Sequence, residues 1–233
     1  MKNKTLVIAH RGFSGEYLQN SKKALQEAIK LKVDMIEIDV RKTKDSNFIV
    51  FHDAHLQRLT YSRGYVNNKT LEDIKKILLK EDSKILELKE ALQILKKSKI
   101  NIHLKDYFCK EDFIKLLKEI KSYEKNIIIS SFNFDDLHEL RKLNKKIKIG
   151  LLCVLPFKKN IKKSLQLKAY SIHPNYSFLT YGFVKLAQKN NLKVFPFTIN
   201  NPNSMKHLIH FGVDGIITNY PDKLQDLIKK IIR

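Results

Sequence analysis

The chain has 233 residues, 43% of them apolar and 30% charged, enough for one compact domain around a substantial core. Seven glycines and five prolines exclude collagen-like and low-complexity chains, and two cysteines exclude a disulfide scaffold. The net charge of +21, from 45 basic and 24 acidic residues, directs attention to anionic partners: nucleic acid, an anionic membrane surface or a phosphorylated small molecule.

In chain order, short runs rich in Val and Ile read as buried strands. The first, Leu6 to Ala9, is stopped at once by His10-Arg11-Gly12 and is too short for a signal-peptide core. Met35 to Val40 carries Glu37 and Asp39, and Phe48 to Phe51 ends in His52-Asp53. Ile100 to Leu104 contains His103 and leads to Lys105, and Ser130-Ser131 follows Ile127 to Ile129. Then come Ile147 to Leu155, Ala169 to Ile172 with His173 behind it, Val194 to Phe197 with Thr198 and Asn200, and Gly215 to Ile217 with Asn219.

Between most runs, apolar residues recur at helical spacing, as in Leu88, Ala91, Leu92 and Leu95, in Phe113, Leu116, Leu117 and Ile120, and in Leu224, Leu227, Ile228 and Ile231. Thr70 and Asp73 have capping-box form. Alternating strands and helices imply a parallel sheet with helices outside, so the expected fold is a (β/α)8 TIM barrel, one domain over 1–233. The ninth run is absorbed by an irregular hairpin over 35–51, turning at Asp45-Ser46. A doubly wound open sheet is the alternative, because periodicity does not close a barrel.

In such a barrel the C-terminal strand ends line one face and carry the chemistry. Glu37 and Asp39 are two apart and share a strand face, where burying them costs several kcal/mol unless positive charge meets them. Ion pairs to Arg11 and Lys105 would satisfy them, and so would a hard divalent cation such as Mg²⁺ or Ca²⁺. Any one of these histidines alone is most simply structural. Together, two histidines, a basic pair and a carboxylate pair suit phosphodiester cleavage. His10 and His52 then serve as base and acid, and Arg11 and Lys105 stabilise charge on the non-bridging oxygens.

The basic surplus itself says less. Six of the 45 basic residues are Arg, the residue favoured for base-edge readout, so nucleic acid is not the expected partner. Most lysines read as solvated helix surface, with at most weak attraction to an anionic membrane. Cys109 and Cys153 read as free thiols, and with no membrane-spanning run the expected location is the cytoplasm.

These motifs resemble the glycerophosphodiester phosphodiesterases over nearly the whole length. The resemblance rests on His10-Arg11-Gly12, Glu37-Ile38-Asp39-Val40, Thr43-Lys44-Asp45, Val50-Phe51-His52-Asp53, Arg58-Leu59-Thr60, Lys105, Ser131-Phe132-Asn133, Thr198-Ile199-Asn200 and Gly212-Val213-Asp214-Gly215-Ile216-Ile217-Thr218. It implies a TIM barrel that cleaves a small glycerophosphodiester to glycerol 3-phosphate and an alcohol. It also implies His10 and His52 as the acid–base pair, Arg11 and Lys105 at the phosphate, and a divalent metal held by Glu37 and Asp39.

Four departures stand out. Gln19 replaces the Glu of a usual Pro-Glu-Asn-Thr, and His103 replaces a Glu that completes the metal site. Phe197 stands for Trp, and Asn219 for Asp. As a third ligand, His103 would widen the choice to Mn²⁺ or Zn²⁺, which accept nitrogen. Asn20 and Ser21 read as helix caps with little functional weight. Two other readings remain: a barrel of the same family that binds phosphodiesters with weakened chemistry, and a Schiff-base enzyme using Lys105.

Overall fold

The computed structural model describes residues 5–232, so residues 1–4 and 233 of the expected 1–233 unit lie outside the described residues. Its strands are β1 (Leu6–His10), β2 (Met35–Lys42), β3 (Phe48–Val50), β4 (Ile100–Leu104), β5 (Ile127–Ser131), β6 (Lys148–Cys153), β7 (Ser171–Pro174), β8 (Lys193–Val194) and β9 (Gly215–Thr218). The helices are α1 (Lys22–Lys30), α2 (Leu71–Lys75), α3 (Leu88–Ile94), α4 (Lys110–Ile120), α5 (Phe134–Leu143), α6 (Lys158–Gln166), α7 (Tyr181–Lys189), α8 (Pro202–Phe211) and α9 (Pro221–Ile232).

Eight strands run parallel in the order β8-β7-β6-β5-β4-β2-β1-β9. Three backbone hydrogen bonds close the ring between its first and last members: Asp214 N–H to Val194 O at 3.1 Å, Ile217 N–H to Pro196 O at 3.0 Å and Ile199 N–H to Ile217 O at 3.0 Å. This excludes the open sheet and gives the expected TIM barrel. β3 lies outside the ring and pairs antiparallel with the end of β2 that projects beyond the rim, Val40 opposite Val50 and Lys42 opposite Phe48. The hairpin turn is tied by Thr43 Oγ1, which accepts from the Asn47 N–H at 3.0 Å.

Alternation along each strand separates two layers. Ile36, Ile38, Ile100, Ile102, Ile127 and Ile129 pack outward against helices, including Leu88, Leu92, Phe113 and Leu116. The inward apolar floor is small and consists of Ile8, Met35, Ile128, Phe195 and Ile217. Above it the inward positions turn polar, with Glu37, Asp39, Asn101, His103, Ser130 and His173 all buried. His173 thus belongs to β7 and not to the loop beyond it. Gly150 makes room for it, since a Cβ there would lie 2.6 Å from His173 Nε2.

A further apolar cluster, Ile49, Phe51, Leu56, Leu59, Val66, Ile74, Ile77, Leu79 and Ile85, forms under the long connection between β3 and α3. Thr70 does cap α2 in a complete capping box with Asp73. The irregular hairpin is therefore the entry to a small packed layer.

Asp136, in the first turn of α5, is buried and forms no ion pair among the described residues. Burial pushes its pKa up to about 6, against weaker opposing pulls from the Phe108 backbone and Lys42. The folded state therefore holds a proton that the unfolded chain releases near pH 4, and stability falls as pH rises from about 4 to 6. At about 1.4 kcal/mol per pKa unit, this group contributes up to roughly 3 kcal/mol to that fall. Urea denaturation across this range should show Asp136→Asn converging with wild type near pH 4 and exceeding it above pH 6. Parallel curves would refute the assignment.

Candidate active site

The loop after β1 organises the site. Arg11 and Gly12 both take positive φ, 56° and 77°, which turns the chain sharply at the barrel mouth. Gly12 is required by contact as well as by φ, because a Cβ would lie 2.7 Å from the Ala24 carbonyl. The loop returns at Asn20, whose N–H donates to Arg11 O at 3.0 Å. Ser21 then caps α1, with its Oγ accepting from Ala24 N–H at 3.1 Å.

This loop clamps both carboxylates. The Arg11 backbone N–H donates to Glu37 Oε2 at 2.9 Å. Asn20 Nδ2 donates to Asp39 Oδ2 at 3.0 Å, and the Arg11 guanidinium ion-pairs with the same oxygen at 2.9 Å. Asn20 is thus a site residue, buried and held at φ 59°, and not a mere cap. Gln19 accepts a hydrogen bond from Arg11, which orients the guanidinium.

His103, on β4 opposite Asp39, brings Nδ1 to 3.2 Å from Asp39 Oδ1 and 3.7 Å from Glu37 Oε1. Burial alone would lower its pKa, but the two carboxylates raise it. Burial works against Asp39 ionising as well, yet His103 and Arg11 hold it well below the usual carboxylate range. Lys105 Nζ lies 3.8 Å from Asp39 Oδ1. Ion pairing thus neutralises part of the carboxylate charge. Glu37, Asp39 and His103 also place one donor atom each within 4.8 Å of one another. His103 Nε2 is buried without a hydrogen-bond partner among the described residues. Two carboxylates, an imidazole and an unsatisfied buried ring nitrogen fit a divalent cation.

The two histidines meet across the same mouth. His10 Nδ1 donates to Asn219 Oδ1 at 2.6 Å, leaving the Nε2 lone pair free of that bond. His52 Nδ1 donates to Asp53 Oδ1 at 2.6 Å, and its Nε2 accepts from Lys105 Nζ at 3.1 Å. Arg58 grips both oxygens of Asp53. Arg41, which the sequence did not single out, holds the His52 carbonyl with Nε at 2.7 Å and pairs with Asp106. Burial is the main cause that lowers both imidazole pKa values, for His10 against the pull of Glu37 and for His52 against that of Asp39.

All seven expected site residues gather at one mouth. His10, Arg11, Glu37, His52, His103 and Lys105 line a cavity of about 170 Å³ together with Phe132, Leu152 and Phe197, and Asp39 is fully buried beside it. A second cleft of about 490 Å³ shares His10 and Arg11 and runs past Ser14, Gln19 and Arg58.

The sequence pattern of the glycerophosphoryl diester phosphodiesterase family matches residues 10–223. The chain is 38% identical over 240 aligned residues to a glycerophosphodiester phosphodiesterase of Caldanaerobacter subterraneus subsp. tengcongensis, covering 97% of this chain and 99% of that protein. It superposes with a TM-score of 0.90 on an Oleispira antarctica phosphodiesterase in complex with the product sn-glycerol-3-phosphate, at 26% identity and 96% of both chains. The glycerophosphodiester phosphodiesterase of Thermotoga maritima gives 0.81 at 28% identity, over 95% of this chain and 98% of that one. Fold and matches together define a phosphoric diester hydrolase built on a TIM barrel. The chain belongs to the glycerophosphoryl diester phosphodiesterase family.

The role of Asn20 is testable because glycine tolerates its backbone angle. Asn20→Gly should keep the melting temperature close to wild type while turnover falls roughly ten- to a hundredfold through loss of the Asp39 tether. Asn20→Ala should add a folding cost of about 1 kcal/mol for its left-handed backbone. Full turnover in the glycine variant would remove Asn20 from the site.

Proposed function

We propose that this enzyme hydrolyses glycerophosphodiesters to glycerol 3-phosphate and an alcohol, using His10 and His52 as the acid–base pair. One observation carries this reading: two imidazoles, each with Nδ1 held 2.6 Å from a side-chain oxygen, share a cavity with Arg11 and Lys105. The product named for the Oleispira antarctica relative supports the substrate class. Because the two clefts meet at His10 and Arg11, the phosphate sits there, with one arm of the diester in each cleft.

His10, deeply buried and backed by the neutral Asn219 amide, is suited to stay uncharged and take the proton of the attacking oxygen. His52, whose Nε2 accepts from Lys105 in the free protein, is suited to take up a proton there from solvent once Lys105 turns away, with the Asp53 carboxylate stabilising the imidazolium, and to pass that proton to the departing alcohol oxygen. Lys105, which donates to His52 Nε2 in the free protein, turns to a non-bridging oxygen, where Arg11 provides a second cation. Its engagement with His52 and Asp39 gives no support to a Schiff-base role.

Glu37, Asp39 and His103 are the proposed ligands of a divalent cation, Mg²⁺ or Ca²⁺ by family resemblance, with Mn²⁺ or Zn²⁺ admitted by the imidazole. Held there, such an ion would supply positive charge to the site and make an attacking hydroxyl more acidic. The free thiols of Cys109 and Cys153 suit a reducing compartment, and the cytoplasm is the proposed location.

A second reading is favoured by one observation. The His103 imidazole already lies between Asp39 and Glu37, where the resemblance expects a carboxylate. In that reading the barrel binds phosphodiesters with weakened chemistry. Released glycerol 3-phosphate decides between them. His10→Ala and His52→Ala should each reduce release by about 10²- to 10⁴-fold, and chelator treatment should abolish it until a divalent ion is restored. No release from any glycerophosphodiester with any of the four ions would overturn the first reading. A large gain from near zero in Gln19→Glu with His103→Glu would establish the second.

A further inference from the structure

The positive charge is unevenly distributed. From Leu140 to Val213 the chain contains no Asp or Glu and fourteen Lys or Arg, whereas the other 159 residues carry 31 basic and 24 acidic ones. Under a third of the chain therefore supplies +14 of the net +21. The same stretch forms one continuous sector of the barrel, β6, β7 and β8 with α6, α7 and α8.

At the catalytic end of that sector the loops expose apolar side chains that join no core cluster. β6 ends at Cys153, and Val154, Leu155 and Phe157 follow it with 54%, 40% and 50% of their surface exposed. Phe178, after β7, is 55% exposed. Phe132, after β5, is partly exposed and also lines the active-site cavity. β5, β6 and β7 are neighbours, so these loops form one side of the mouth. Exposed Lys158 and Lys159 follow directly at the start of α6, with Lys162 one turn below.

We infer that this rim docks the enzyme on an anionic lipid surface, with Val154, Leu155 and Phe157 entering the interface and Lys158, Lys159 and Lys162 meeting the headgroups. Apolar side chains beside lysines without intervening acids are the combination that partitions into such an interface. The lone arginine of the sector, Arg141, is buried and donates to the carbonyls of Leu167, Lys168 and Asn144. The planar forks that favour nucleic acid are thus absent from this surface among the described residues. Docking here turns the mouth of the barrel toward the lipid, because rim and cavity share Phe132.

Co-flotation of the full chain with vesicles tests it. Wild type should float with phosphatidylcholine vesicles containing about a third phosphatidylglycerol, much less with phosphatidylcholine alone, and less again as salt rises. Leu155→Ser combined with Phe157→Ser should reduce anionic-vesicle binding by at least about tenfold while leaving melting temperature and turnover of a soluble diester unchanged. Lys158→Glu with Lys159→Glu should reduce it comparably. Absence of wild-type flotation would overturn the inference, as would a serine variant that floats like wild type. Binding to an RNA oligomer as tightly as to vesicles, unaffected by the serine changes, would reassign the sector to generic polyanion attraction and overturn it too.

Discussion

Two carboxylates inside a barrel are the constraint on which the rest of this structure turns. Glu37 and Asp39 alternate with isoleucines on a strand whose other face is the main core, so they cannot leave the interior without turning that core outward. Charge buried in this way must be answered locally. The answer comes from a loop that folds back over the mouth and supplies a backbone amide to one carboxylate and a side-chain amide and guanidinium to the other. The positive φ at Arg11, Gly12 and Asn20 is what lets ten residues make that return. Backbone geometry, carboxylate placement and the position of Arg11 are therefore one device.

Three positions where the resemblance expects acids hold uncharged or basic side chains here, and each is integrated into the network. Gln19 binds Arg11, His103 bridges toward Asp39 and Glu37, and Asn219 holds His10. The combined effect is a less negative mouth. Fewer acids compete for Arg11 and Lys105, and His10 Nδ1 meets a neutral amide oxygen, so that Glu37, 4.0 Å from Nε2, is the nearby carboxylate that favours its protonation. The same substitutions leave Glu37, Asp39 and Asp53 as the carboxylates nearest the two histidines.

Much of this was legible in the chain because strands buried on both faces advertise themselves as unbroken Val and Ile runs. All nine runs correspond to strands, and the residues at their ends meet at one mouth. The apolar run from Ile147 to Leu155 outlasts its strand by two residues, Val154 and Leu155, which are exposed beyond it and belong to no core cluster. The layer between β3 and α3 was not legible: Leu56, Leu59, Val66, Ile74 and Leu79 follow no single period, and they cohere only through contacts distant in sequence. Asn20 and Arg41 escaped for a related reason. Each acts through a residue eleven or nineteen positions away, and nothing local distinguishes them from an ordinary cap or a solvated cation.

The pairing of His10 with Asn219 joins the first strand to the last across 209 positions of sequence. β1 finds one of its two neighbours, β9, only near the end of the chain, and the seam between β8 and β9 closes there as well. During synthesis β1, β2 and β4 are complete by residue 104, but the Nδ1 partner of His10 is absent until residue 219 has been added. The orientation of the His10 ring is therefore a property of the closed barrel and of no shorter piece of it.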